Sequence, residues 1–463
     1  MTDAAPRLAA LAETLLGAPL PVRIRAWDGS EAGPPAGPTL VLANRRALRR
    51  VLWRPGELGL ARAWVAGDLT VEGDLFELLD RVAGLLWERA PADVPEAPQA
   101  VRRSGLGKLR ALRPYLPGLP ERAAGVAGTT ALLRDPEARA ALRDLVALAR
   151  PWPAPAPPPE EAPRRGGQTH SKYRDRQAIS HHYDVGNEFY EHVLGPSMVY
   201  SCAYWSPGST LEEAQRDKLD LVCRKLGLQP GERLLDVGCG WGSMALHAAR
   251  EYGVRVTGVT LSREQAVYAR KRAAEEGLAD RVDIRIQDYR DVKDGPYDAI
   301  SSIGMAEHVG AERYREYART LHALLAPGGR LLNHQIARPP EPDEEAYRID
   351  EFIDAYVFPD GELSPLGTTV GELERVGFEV RDVEALREHY ALTLRAWVAR
   401  LEEHWEQAVR LTSPGRARAW RLYMAASALG FEHGRLGVNQ ILAVKPAAAG
   451  RSGLPLRLRT WGA

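Results

Sequence analysis

The residues able to do chemistry gather in the middle of the chain. Residues 234–242 read LLDVGCGWG, an apolar run that carries Asp236 and then places glycine at 238, 240 and 242. That pattern predicts a strand feeding a glycine turn at the start of a helix, where a missing Cβ lets a ligand approach the backbone. The spacing G-x-G-x-G differs from the G-x-G-x-x-G of dinucleotide-binding turns, and glycines alone would fit a plain strand-helix turn. Two features lift it above that reading: the acid before the first glycine, and a second strand, VTGVTLS, ending in hydroxyls at Thr260 where the ribose of a bound cofactor would lie. The three cysteines, Cys202, Cys223 and Cys239, are too few and too unevenly spaced for a disulfide framework or a zinc site, and point to a reducing compartment.

These residues need a scaffold, and the chain supplies one. Its 463 residues suffice for two or three domains. With 45% hydrophobic and 26% charged residues and a mean hydropathy of −0.31, it is a globular chain with sizeable cores, not a disordered one. Lys plus Arg (61) equals Asp plus Glu (61), so no global field recruits nucleic acid or an anionic bilayer. Only seven of those basic residues are lysine, an Arg excess that reads as codon bias. Residues 20–95 alternate short strands with helix, a small α+β domain, and residues 98–145 are Arg- and Leu-rich with helical spacing. Seven prolines among residues 151–163 then predict a linker. Beyond it LLDVGCG, VRVTGVTL, VDIRIQDY, YDAISSIG and RLLNHQI alternate with amphipathic stretches such as Ser262–Glu276, the signature of a doubly wound parallel sheet. The expected division is 1–97, 98–167 and 168–463, with a helical cover after Glu341, including Leu394–Leu411 and Ala417–Ala426.

Four further segments, SHHYDVGN (180–187), MVYSCAYW (198–205), GMAEHVG (304–310) and YVFPDG (356–361), occur in this order at characteristic spacings. Over residues 170–445 the chain resembles cyclopropane-fatty-acyl-phospholipid synthases and mycolic-acid methyltransferases. The resemblance implies a class I S-adenosylmethionine methyltransferase fold, a Rossmann-like doubly wound α/β sheet with a small N-terminal α+β domain similar to sterol-carrier-type domains. It implies a cofactor site of Tyr200, Ser201, Asp236, Gly238, Gly240, Thr260 and Gln265, with Asp288 and Tyr289 near the adenine. It also implies a catalytic bicarbonate held by Cys202, Glu307, His334, the backbone of Ile336, and Tyr390. The logic is sound: an alkene attacking a sulfonium methyl becomes a carbocation that needs a weak base and no water. Taken singly, Cys202 reads as apolar filling, Glu307 with His308 as a helix-capping pair, and His334 as a core histidine. The helix-spaced Arg45, Arg46, Arg49 and Arg50 read as a solvated face before a lipid-headgroup site.

Two positions depart from the family pattern. Ala306 stands where an aromatic residue usually precedes the EHVG glutamate, which leaves cyclopropane and methylene or methyl-branched products both open, the branch needing a separate reductase. Asp360 is a milder change at a turn with no expected effect. The implied activity is methyl transfer to the cis double bond of an unsaturated acyl chain on a membrane phospholipid. The rivals are heteroatom or carbon methylation of a soluble metabolite, and a non-catalytic lipid-binding protein. No signal-peptide core and no apolar run of spanning length is present. The expectation is a cytoplasmic homo-oligomer, peripheral to the inner membrane face, with no nucleic-acid partner.

Overall fold

The computed structural model describes residues 3–16, 18–87, 136–150, 153–162, 170–175, 185–341, 344, 347 and 349–456. Most of SHHYDVGN and of the 98–145 stretch therefore lies outside the described residues. The chain splits into two compact units, residues 1–161 with 414–419, and residues 162–413 with 420–463. Of the expected 98–167 helical segment and linker, residues 136–150 and 153–162 are described.

In the first unit, β1 (Arg23–Arg25), β2 (Glu31–Ala32), β3 (Thr39–Leu42) and β4 (Leu69–Glu72) form a sheet in the order β2-β1-β3-β4, with β1 and β3 parallel. Ile24 and Leu42 of the sheet share a core with Ala5 and Leu8 of the helix Ala4–Leu16 and Leu148 of the helix Pro136–Ala149. Of the Arg45, Arg46, Arg49 and Arg50 cluster, expected as a solvated face, Arg46 is exposed and the other three are partly buried. Arg46 and Arg50 both pair with Asp68, at 3.1 and 2.8 Å, and Asn44 Nδ2 donates to the same carboxylate. Arg49 donates to the carbonyl of Ala149, and Arg45 lies over the Trp27 ring. The proline-rich stretch is tied down as well, by Arg50 to the Ala156 carbonyl and by a two-pronged Arg62–Glu161 pair. Helical spacing alone hid this because the carboxylate that collects the arginines is 18 to 22 residues away.

The second unit carries the larger sheet: β5 (Arg233–Val237), β6 (Arg255–Thr260), β7 (Val282–Ile286), β8 (Tyr297–Ile303), β9 (Leu325–Arg338), β10 (Ser364–Pro365), β11 (Glu379–Ala385) and β12 (Gly437–Val444). The order is β7-β6-β5-β8-β9-β12-β11, with the two-residue β10 beside the end of β9. Strands β5 to β9 are parallel to their neighbours, whereas β12 runs antiparallel to both β9 and β11. Successive strand residues feed opposite faces: Leu234, Ala299 and Leu332 join one apolar cluster, Leu235, Ile300 and Leu331 the other. Helices cover both clusters, so the sheet is doubly wound. The fold is that of class I S-adenosylmethionine methyltransferases. The helices expected after Glu341 are present, and β11 and β12, which the residue pattern does not announce, extend the sheet there. Between them come helices Arg387–Glu403, Trp405–Leu411 and Pro414–Glu432.

Local signals set the helices around the site. Thr210 and Glu213 form a capping box at the start of the helix Leu211–Leu226, and Gly227 ends it in the left-handed conformation. Ser262 caps the helix Arg263–Glu275. Among the described residues no helix is long and apolar enough to cross a membrane.

Candidate active site

A cleft opens at the carboxyl ends of β5, β6, β7 and β8, where open α/β sheets hold ligands. It encloses about 770 Å³ counted to its open mouth. The glycine turn forms one wall. The N–H groups of Gly238 and Cys239 both donate to the Val259 carbonyl, at 2.9 and 3.0 Å, which closes the turn onto β6. Gly240 has φ +53°, and a Cβ added there meets nothing within 4 Å, so bare backbone faces the cleft. At Gly242 an added Cβ would stand 2.9 Å from that of Ala269. The third glycine therefore serves helix packing and the second leaves room for a ligand.

Thr260 and Gln265 line the same cleft and are bonded to each other, Oγ1 to Oε1 at 2.8 Å, while the Ser262 hydroxyl accepts from the Gln265 N–H. Asp288 and Tyr289 line it too. Both oxygens of Asp288 are engaged by Arg290, whose Nε and terminal nitrogen approach at 2.8 and 2.6 Å. Burial works to raise the Asp288 carboxyl, but the Arg290 guanidinium and N–H outweigh it and hold the group below the usual aspartate range. Asp175 takes the remaining reach of Arg290 at 2.8 Å. The sequence reading missed Asp175, Gln287, Arg290, Met305 and His308, all on the cleft wall. Gln287 and Arg290 flank the expected Asp288 and Tyr289, so the strand-end rule could have found them.

Three expected cofactor residues are not on the described wall. Asp236 lies inside the sheet, its Oδ1 accepting from Ser301 at 2.8 Å and its Oδ2 without a partner among the described residues. Burial pushes this carboxyl up to about 6, against the pull of Ser301 and Lys218. Ser201 is buried, its hydroxyl accepting from Lys218 Nζ at 2.9 Å and its carbonyl from Gln215 Nε2. Burial brings the Lys218 ammonium down to about 8. Tyr200 packs in a box of rings formed by Tyr190, Phe358, Trp397 and Trp420. Interior partners thus occupy one oxygen of Asp236 and the polar groups of Ser201, and ring faces enclose Tyr200. Phe358 comes from the YVFPDG segment. Its neighbour Asp360, expected to do nothing, sits at φ +65° and receives both prongs of Arg174 at 2.6 Å.

Backbone pairings and hydrogen bonds make neighbours of the five residues expected at the anion site. Glu307 Oε1 accepts from the Ile336 N–H at 2.7 Å. Ile336 stands opposite Val438 in the β9–β12 pair, and the Val438 carbonyl accepts from Leu386 N–H. The Leu386 carbonyl in turn accepts from the Tyr390 N–H at 3.1 Å and from Cys202 Sγ at 3.6 Å. His334 lies two residues before Ile336 on β9 and is directly paired with Ile303 at the end of β8. Glu307 Oε2 and His334 Nε2 are both sealed from solvent and without a hydrogen-bond partner among the described residues. Burial raises the Glu307 carboxyl to about 7, against the Ile336 N–H, and drives the His334 imidazole well below its usual range. Glu307 sits in a single 3₁₀ turn, Ala306–His308, and does not cap a helix. The Cys202 thiol donates to main-chain carbonyls and burial raises its pKa, so it stays neutral. Rings line this region: Tyr390 meets Phe431 at 4.8 Å and Trp397 at 6.1 Å.

Comparison with known proteins matches this arrangement to a family. The model of the mycolic acid cyclopropane synthetase family matches residues 170–441. A "probable fatty acid methyltransferase" of Mycobacterium tuberculosis is 42% identical over 451 residues, 94% of each chain. One of the same name from Pseudomonas putida is 38% identical over 97% of this chain and 98% of its own. The cyclopropane-fatty-acyl-phospholipid synthase of Escherichia coli is 39% identical over 250 residues, 54% of this chain and 63% of that one. Among solved structures, a cyclopropane synthase from Mycobacterium tuberculosis superposes with a TM-score of 0.55 at 33% identity, covering 60% of this chain and 99% of that one. A mycolic acid cyclopropane synthase solved with SAH and CTAB gives 0.55 at 35% identity, covering 58% and 97%. With the glycine cradle, the strand-end cleft and matches that span the sheet unit, the chain belongs to the mycolic acid cyclopropane synthetase family and is an S-adenosylmethionine-dependent methyltransferase.

Proposed function

We propose that the protein methylates the cis double bond of an unsaturated fatty acyl chain carried on a membrane phospholipid. The observation that carries this reading is that Glu307 Oε2 and His334 Nε2, on residues that neighbour the same stretch of β9, are both sealed and without a hydrogen-bond partner among the described residues. Buried polar atoms ordinarily find partners; an acid oxygen and an imidazole nitrogen left without one, on the turn after β8 and on β9, fit a small anion with both donors and acceptors. Bicarbonate meets that description. Bound here, it would supply a weak base for a proton of the newly added methyl group. S-adenosylmethionine, held along the glycine turn with Thr260 and Gln265 at its side, supplies the electrophilic methyl.

The chain's own residues then have defined tasks. Glu307 orients the anion through Oε2 while the Ile336 N–H fixes Oε1. Tyr200, Trp397 and Tyr390 exclude water, and their ring faces favour a passing cation. Heteroatom methylation needs neither an anion nor such a wall. Ala306 is buried in this turn where the resemblance expects an aromatic residue, and the smaller side chain bears on when a proton of the added methyl leaves: lost directly it closes a cyclopropane, lost after a hydride shift it gives an exocyclic methylene. A separate reductase would turn the methylene into a methyl branch. The substrate's bilayer is met by peripheral contact, with a homo-oligomer offering two faces to one membrane.

Lipids from a host expressing the chain are the test. Mass spectrometry is expected to find phospholipid acyl chains heavier by one CH₂, with fragmentation locating ring or branch. Unchanged lipids alongside a methylated soluble metabolite would overturn the reading.

A further inference from the structure

A row of polar residues outside the groups assigned to the reaction leads across the sheet to His334. In the sheet, Glu384 of β11 stands directly opposite Gln440 of β12, and Gln440 directly opposite His334 of β9. Lys225, near the end of the helix Leu211–Leu226, reaches down onto this row. Its Nζ pairs with Glu384 Oε2 and donates to Gln440 Oε1 at 2.8 Å. Gln440 Nε2 lies 3.2 Å from His334 Nδ1. Gln440 and His334 are fully buried, and so is the Lys225 side chain.

An amide's two ends look alike in shape but not in chemistry. An ammonium held by a carboxylate has protons to give and no lone pair. Lys225 therefore fixes the Gln440 oxygen toward itself and turns the amide NH₂ toward His334. That NH₂ can only donate, so Nδ1 of His334 must accept.

We infer that Lys225 and Gln440 are positioning residues that hold His334 as the neutral Nε2–H tautomer, so that the imidazole presents a hydrogen-bond donor to the anion site and cannot serve as the proton acceptor. Protonating Nδ1 as well would set two donors face to face, and Lys218 and Lys225 both oppose a charged ring. The proton released by the substrate then goes to the anion, and the imidazole keeps its own. The tautomer assignment stands on the side-chain row alone; its catalytic meaning rests on the anion reading above.

Nitrogen-15 NMR of the full chain labelled at histidine tests it, with a His334→Gln sample identifying the resonances. The expected spectrum at neutral pH shows His334 Nε2 protonated and Nδ1 bare; a protonated Nδ1 overturns the proposal without any need for a variant. In Gln440→Glu the new carboxylate accepts from Nδ1–H. The proton is expected to appear on Nδ1, with kcat falling on the order of 10²-fold and KM for S-adenosylmethionine unchanged. Retention of the wild-type tautomer and rate in that variant overturns the proposal. Should it not fold, Lys225→Met frees the amide to rotate and is expected to give mixed tautomers; a single Nε2–H form there overturns the role of Lys225. Added bicarbonate is expected to move the wild-type Nε2 signal. An Nε2–H tautomer that ignores bicarbonate supports the assignment and overturns the anion reading, which keeps the two failures apart.

Discussion

In the N-terminal unit the Asp68 carboxylate is buried against two guanidiniums and an amide, with Arg50 Nε at 2.8 Å and Arg46 at 3.1 Å. In the sheet unit the Glu307 carboxyl has one backbone N–H at 2.7 Å, a second oxygen sealed from solvent with no partner, and no ion pair among the described residues. Burying a carboxylate without cations is costly, and the usual remedy is pairing or protonation. The first site takes the pairing route and gains structure. The second takes the protonation route: burial raises Glu307 to about 7, so the group can change charge near neutral pH. The difference teaches how to separate a buried acid that holds a fold from one kept available for chemistry.

The largest expected effect probes the unpaired acid. Glu307→Gln keeps the shape and removes the titrating oxygen, and kcat should fall by roughly 10²-fold to 10⁴-fold with KM for S-adenosylmethionine nearly unchanged. Steady-state rates in bicarbonate-controlled buffer decide this, and a wild-type rate would place Glu307 with the structural acids.

The paired acid should respond in stability instead. Arg50→Ala leaves Asp68 hydrogen-bonded to Arg46 and Asn44 among the described residues, and should cost about 3 kcal/mol, the low end for breaking a buried ion pair. Chemical denaturation of the full chain measures the loss. An undiminished midpoint would mean that the single exposed Arg46 suffices.

The same Glu307→Gln variant sharpens the contrast from the stability side. The unfolded carboxyl titrates near 4.5 and the folded one near 7, so between those values the native state holds the extra proton. Wild-type stability should therefore fall as pH rises from about 4.5 to about 7 through this group, and then level off. Glutamine has no such penalty. The variant should be the more stable protein at pH 8, by up to about 3 kcal/mol, and should lose that advantage toward pH 4.5. Thermal melts across this range test the sign; a variant less stable than wild type at pH 8 would show that Glu307 is not buried at a cost.

The smallest effect is expected where a paired carboxylate lies near the surface. Asp360→Asn removes the charge that meets Arg174 from two sides, a pair worth about 1 kcal/mol given its partial exposure. S-adenosylmethionine affinity should change only a few-fold by calorimetry.

Much of the sheet unit was legible in the chain order of its residues. Strands β5 to β9 could be read because a parallel sheet covered on both faces demands near-continuous apolar runs. The glycine turn, Thr260, Gln265, Asp288 and Tyr289 followed from the strand-end rule and family motifs, and all five segments face or flank the cleft. Strand β12 escaped because its buried stretch carries Asn439 and Gln440, polar residues that read as surface until their partners are known.

The sequence by itself determined the parallel strands and the glycine cradle, because these depend on residue type and short-range spacing, whereas the candidate anion-site residues came from the family resemblance. The tertiary structure alone decided which acids are paired. Asp68 meets Arg50 because a helix and a strand end converge, Asp360 meets Arg174 across 186 residues, and Lys225 reaches Gln440 across 215. A charge's partner and its access to water are set by distance in space. Those two quantities make one carboxylate a strut and another a titratable group, and neither is written in the order of residues.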